Sequence, residues 1–195
     1  MLEKKVTVDM LRTELQGFPQ VKFESAKKEH INKLLEHINN AQVKICKSDE
    51  IIPYCRTDYV VISVYYHLSE KLTLKLVEKR RSSSRERVRP MEGINTKIFL
   101  GEMIEHAAHR ALREKLGIAR FEHLERLGSN WDKLKIGSGI PGLYTKNLLY
   151  NFNFHMQKNM YDGNGYTIRR GTNKEVQFEW IPVRSRVTEE IQILP

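Results

Sequence analysis

The chain has 195 residues and a mass of 22.9 kDa, which suits one domain at the usual ~100–200 residues each. Its 11 glycines, 6 prolines and 40% apolar residues exclude collagen-like, low-complexity and fully disordered classes. Thirty-three basic residues against 24 acidic leave a formal charge of +9, which points to polyanionic partners. No window approaches the ~18 apolar residues a membrane helix needs. The opening stretch carries Glu3, Asp9 and Glu14, so neither a secretory signal nor a transit peptide is expected. With only Cys46 and Cys55, a reducing, cytoplasmic setting is expected.

In chain order, Thr7 is placed to cap a helix running to Gln16, which Gly17, Phe18 and Pro19 end. Ser25 precedes a second helix over Ala26 to Asn39, with Ile31, Leu34, Leu35 and Ile38 on one face. Pro53 marks a change of character. Residues 1–52 therefore read as an N-terminal helical extension, suited to docking on a protein partner or a second copy of the chain, and 53–195 as the main domain.

Asp58–Leu68 is rich in β-branched and aromatic residues, and Leu72, Leu74 and Leu76 alternate with polar neighbours beyond a turn at Ser69–Glu70. This predicts a hairpin. Arg80, Arg81, Arg85, Arg87 and Arg89 follow, interleaved with three serines and without apolar period, as in an exposed loop. Such a run either binds phosphates through forked guanidinium donors or is a solvated connection. Lys97–Glu102 reads as a short strand or an approach to a helix. Ile104, Ala107, Ala108, Ala111, Leu112 and Leu116 recur at helical steps up to Gly117, a C-terminal cap. Phe121–Gly128 fits strand or helix. Lys146–Met156 and Asn173–Val183 read as strands, and Val187–Leu194 as a terminal helix. The sum is an α+β chain.

Glu102, seven residues, Arg110, Ala111, Leu112, Arg113, Glu114, Lys115, Leu116, Gly117 and Ile118 resemble the signature of the Nudix superfamily in spacing. Ala111 and Lys115 stand where the signature has glutamates, and Thr96 where it opens with glycine. The flanking segments RPMEGINTKIFLGE, SGIPGLYTKNLLYNF and GNGYTIRRGTNKEVQFEWIPV resemble a narrower branch of Nudix-like proteins. The resemblance covers roughly residues 58–183. It implies the Nudix fold, a mixed β-sheet sandwiched between helices, and a pyrophosphohydrolase that uses Mg²⁺ or Mn²⁺. On this resemblance Glu114 and Glu102 would hold the metal, Arg110 would orient the carboxylates, and Lys115 with the Arg80–Arg89 loop would bind phosphate. Glu175 or Glu179 would be candidates for a base.

The ligand implied is a nucleoside diphosphate derivative or the 5′ end of an RNA. The two replaced glutamates give equal weight to a non-catalytic module that binds nucleotide, RNA or a protein partner. His106 and His109 lack further ligands at zinc spacing and read as surface or substrate-edge groups, and His155 reads as structural. Trp131, Tyr144, Tyr161 and Tyr166 have rings able to stack on a base, although core burial is the commoner fate of such residues.

Overall fold

The structure, a computed structural model, describes residues 5–48, 52–79, 93–118, 124–137, 139–170 and 174–183. The architecture is the α+β class expected, a mixed sheet with three helices. The helices are α1 (Val8–Gln16), α2 (Lys28–Asn39) and α3 (Ile104–Leu116). The strands are β1 (Lys44–Lys47), β2 (Pro53–Ser69), β3 (Leu72–Lys79), β4 (Ile94–Lys97) and β5 (Leu124–Trp131), then β6 (Lys135–Ile136), β7 (Tyr144–His155), β8 (Tyr166–Arg170) and β9 (Lys174–Val183). Hydrogen-bonded neighbours run β5-β7-β2-β3-β9-β8, with β1 and β4 also on β2 and β6 on β7. The chain parts into two compact units, residues 1–61, 95–111 and 126–152, and residues 62–94, 112–125 and 153–195.

In the first unit, Thr7 caps α1 as its side chain accepts from the Met10 N–H at 3.3 Å. The Asn39 side chain, at the end of α2, receives the Val6 N–H at 2.8 Å and donates to the Val6 carbonyl at 3.0 Å, which ties the start of α1 to the end of α2. The apolar faces of α1 and α2 supply Leu11, Leu15 and Leu35 to a core shared with Phe23, Cys55, Ile140 and Leu143. Burying such leucines is worth roughly 1.5–3 kcal/mol each, so this core, more than helix propensity, holds two short helices in place. Close approach is enforced at Gly142, whose φ is +82° and where a Cβ would come within 1.8 Å of the Gln20 carbonyl oxygen. No L side chain fits there.

The chain departs from the sequence expectation at element edges. α2 begins at Lys28 because Ala26 and Lys27 are extended. β1 interrupts the stretch read as helical and pairs antiparallel with β2, Lys44 opposite Arg56 and Cys46 opposite Tyr54. That partner carries β2 back to Pro53, ahead of the expected start at Asp58. β4 ends at Lys97, because the following residues turn through Gly101 at φ +82°. Leu124–Trp131 resolves as strand. The expected helix over Val187–Leu194 lies outside the described residues.

In the second unit, β2 and β3 form the expected hairpin, with Tyr65 opposite Lys75 and Ser69 opposite Leu72. β3 continues into β9, Thr73 opposite Val183 and Lys79 opposite Gln177, and β9 into β8. Tyr66 stacks on Tyr161 with ring centroids 3.9 Å apart, and Trp180 packs beside both. The Trp180 indole N–H donates to the Asp162 carbonyl at 2.7 Å, so these aromatics are spent on packing. The His67 and His155 rings lie nearly parallel, with facing nitrogens 3.1 Å apart, a structural place for His155.

Candidate functional site

The entrance to α3 is built around one guanidinium. Arg110 lies on the second turn of the helix, and the chain before the helix folds back so that Glu102 meets it. Arg110 Nε donates to Glu102 Oε1 at 2.9 Å and Nη2 to Glu102 Oε2 at 2.9 Å. Nη2 also donates to the Lys97 carbonyl at 2.8 Å and Nη1 to Thr96 Oγ1 at 3.2 Å. The guanidinium carbon sits 4.6 Å from the centroid of the Phe99 ring. The Phe99 N–H donates to Glu102 Oε2 at 3.0 Å. A planar fork with fixed donors is suited to closing such a turn, where the point charge of lysine is not.

Only 17% of the Arg110 side chain and 16% of the Glu102 side chain are exposed. The hydrogen bonds from Arg110 hold the Glu102 carboxyl below the usual carboxylate range, outweighing the burial that pushes it up, and the Phe99 N–H adds to the effect. Beside the pair lies a hollow of about 150 Å³ that Arg56, Asp58, Phe99 and Tyr150 help to line. Arg56 grips Asp58 bidentately at 2.7 and 2.8 Å. Small-molecule sites are usually about 300–1,000 Å³, so this hollow alone is too small for a nucleoside diphosphate.

Of the residues singled out from sequence, the structure brings Glu102 and Arg110 together. Glu114 and Lys115 stand on the last turn of α3, in the second unit, with Glu114 exposed and Lys115 half-buried. Ala111, at the position of a signature glutamate, is fully buried with Ala107, Ala108 and Leu112. Arg80, Arg81, Arg85, Arg87 and Arg89 lie outside the described residues. Glu179 is half-buried on β9 opposite Val77. His106 and His109 are exposed. Cys46 and Cys55 are free thiols. Burial pushes the Cys55 thiol up to about 12 and raises Cys46 as well, so neither is poised as a thiolate nucleophile.

Among the described residues, the donor set does not fit the implied Mg²⁺ or Mn²⁺. A hard divalent ion takes several oxygen ligands with carboxylates among them. Both Glu102 oxygens already accept from Arg110, and Ala111 offers no oxygen. No group of three or more His, Cys, Asp or Glu side chains that could hold a metal occurs among the described residues.

Sequence reasoning missed Arg56, Asp58 and Lys146. Trp131, named as a base platform, is 45% exposed on β5, with Lys146 Nζ 4.8 Å and the Arg56 guanidinium 5.2 Å from its ring centroid. The available signal was Arg56-x-Asp58, an opposite-charge pair on one face of a strand.

No family model and no curated protein matches the chain. Solved structures similar to it include the NUDIX domain of Shewanella oneidensis NrtR complexed with ADP-ribose, at 14% identity and a TM-score of 0.40, over 65% of this chain and 73% of that one. A MutT/nudix family protein from Enterococcus faecalis matches at 12% identity and a TM-score of 0.40, over 82% of this chain and 53% of that one. The C. elegans Ap4A hydrolase matches at 13% identity and a TM-score of 0.37, over 64% and 78%. At such identities and scores the likeness assigns neither a family nor a reaction. No helix among the described residues is long and apolar enough to cross a membrane.

Proposed function

We propose that this chain is a Nudix-like module that binds a nucleoside diphosphate derivative or the 5′ end of an RNA without hydrolysing it. The observation that carries the reading is the use of Glu102. Its carboxylate is committed to Arg110 on both oxygens and to the Phe99 N–H on one. A carboxylate so used closes a turn and orders the start of α3. Hydrolysis of a phosphoanhydride needs charge neutralisation and an oriented water, and the signature carboxylates other than Glu102 reduce to Glu114. Binding needs less: cations, for which Lys115 and the Arg80–Arg89 run are the candidates in the sequence, and an excess positive charge of +9 that steers polyanions.

A panel of ADP-ribose, dinucleoside polyphosphates, dNTPs and 5′-triphosphate RNA tests this with the full chain in Mg²⁺ or Mn²⁺. Binding of at least one member with no phosphate or nucleoside monophosphate released is expected. Lys115→Glu is expected to weaken that binding about tenfold or more, the size of a lost charge-assisted contact replaced by a repulsive one. Metal-dependent product from any member, abolished by Glu114→Gln, would instead establish the pyrophosphohydrolase with Glu114 as its ligand.

A further inference from the structure

We propose that the cleft between α2 and the sheet of the first unit is a binding site for a nucleoside monophosphate, with Lys33 and Lys97 holding the phosphate and Tyr59 and Tyr144 flanking the nucleoside. The cleft measures about 460 Å³, within the usual range for small-molecule sites and more than inorganic phosphate needs. Its wall on α2 carries His30, Lys33 and His37; β4 gives Lys97, β2 gives Tyr59, and Tyr144 opens β7. Among the described residues, no aspartate or glutamate lines it.

That composition is costly without an anion. Lys97 is half-buried, and its polar contact among the described residues is a long one, 3.5 Å from Nζ to Gln42 Oε1. The same amide oxygen already faces His37 Nδ1 at 2.9 Å. Burial and then the Lys33 charge both push the Lys97 ammonium down from its ordinary value. Glu29, on the same helix, is exposed, with its carboxylate 3.6 Å from His30 Nε2. Two lysines that repel each other in a cleft whose described lining holds no carboxylate leave a place for a ligand's negative charge, and a phosphate there would turn repulsion into charge-assisted hydrogen bonds.

The site is separate from the Arg110–Glu102 pair. Successive strand residues face opposite ways: Cys55, Thr57 and Tyr59 line this cleft, while Arg56 and Asp58 line the hollow beside Glu102. On β4, Lys97 turns to the cleft while the Thr96 hydroxyl accepts from Arg110. A ligand in this cleft therefore needs nothing from the Arg110–Glu102 pair or from the function proposed above.

Calorimetry of the full chain with AMP and with inorganic phosphate, together with 8-azido-AMP photolabelling mapped by peptide mass spectrometry, tests it. AMP is expected to bind at least tenfold more tightly than phosphate, with label on the peptides carrying Tyr59 or Tyr144. Lys97→Met and Lys33→Met are each expected to weaken AMP about tenfold or more. Lys97→Met is also expected to raise the thermal midpoint of the free protein, because it removes a desolvated charge, so a folding defect cannot pass for lost binding. Equal affinity for phosphate and AMP, no AMP binding at millimolar concentration, or labelling unchanged in both lysine variants would overturn the proposal. A chain that binds 5′-triphosphate RNA but not AMP would refute it while leaving the earlier reading intact.

Discussion

Arg110→Ala is expected to lower the free energy of unfolding by about 3 kcal/mol, because it strands a carboxylate that is 16% exposed and removes the fork that joins α3 to β4 and the loop before it. Loss of one partner from a buried pair costs about 3–5 kcal/mol, and the residual exposure puts this pair at the lower end. The same change alters the dependence of stability on pH, with a definite sign. Glu102 is held below its ordinary value by Arg110, so the folded state binds its proton more weakly than the unfolded chain does. The stabilisation is fully present above the ordinary glutamate value of about 4.3 and is lost as pH falls through the lower folded value. Denaturant unfolding from pH 7 down to pH 3 should show that acid loss in the natural chain and its absence in Arg110→Ala. Glu102→Gln should cost less, since its amide oxygen still accepts from Arg110 while Thr96 and the Lys97 carbonyl keep their bonds. A change below about 1 kcal/mol for Arg110→Ala would mean the pair does not hold this turn.

Ala111→Glu, the substitution that would restore the resemblance at that position, is expected to destabilise the chain by more than about 4 kcal/mol and to create no activity. Ala111 is 0% exposed, between Ala108 and Leu112, which are equally buried. A longer side chain there overpacks, and a charged one has no partner to offset its desolvation. Ala111→Gln separates the two causes: it carries nearly the same bulk without the charge and should recover part of the loss. The checks are the unfolding midpoint and metal-dependent turnover on the nucleotide panel. Natural stability together with gained turnover would show that position 111 opens onto a metal site.

The α3 helix was legible because its determinants are local. Alanines and leucines at three- and four-residue steps mark the buried stripe, and Gly117 ends it at φ +69°. The β2–β3 hairpin was legible for the same reason, from period-two alternation on both sides of a turn. β1 was not, because four residues with no apolar period become a strand only through their partner on β2. The Glu102–Arg110 pairing was not legible: helical spacing sets Arg110 beside Glu114 four residues on, and the bonds to Glu102 exist only because the chain before α3 folds the Lys97 carbonyl and the Phe99 N–H back onto the pair. The basic cleft was hidden altogether. Lys33 and Lys97 sit on different elements far apart in the chain, and nothing local in either stretch announces the other.

The most direct test of how Glu102 is used is a Mn²⁺ titration of the full chain, followed through the side-chain Nε–H resonance of Arg110. With the carboxylate spent on the guanidinium, that resonance is expected to stay sharp through millimolar Mn²⁺. Saturable broadening of it, reversed by chelator and lost in Glu102→Gln, would place a metal ion at the head of α3 and contradict a binding module without metal chemistry.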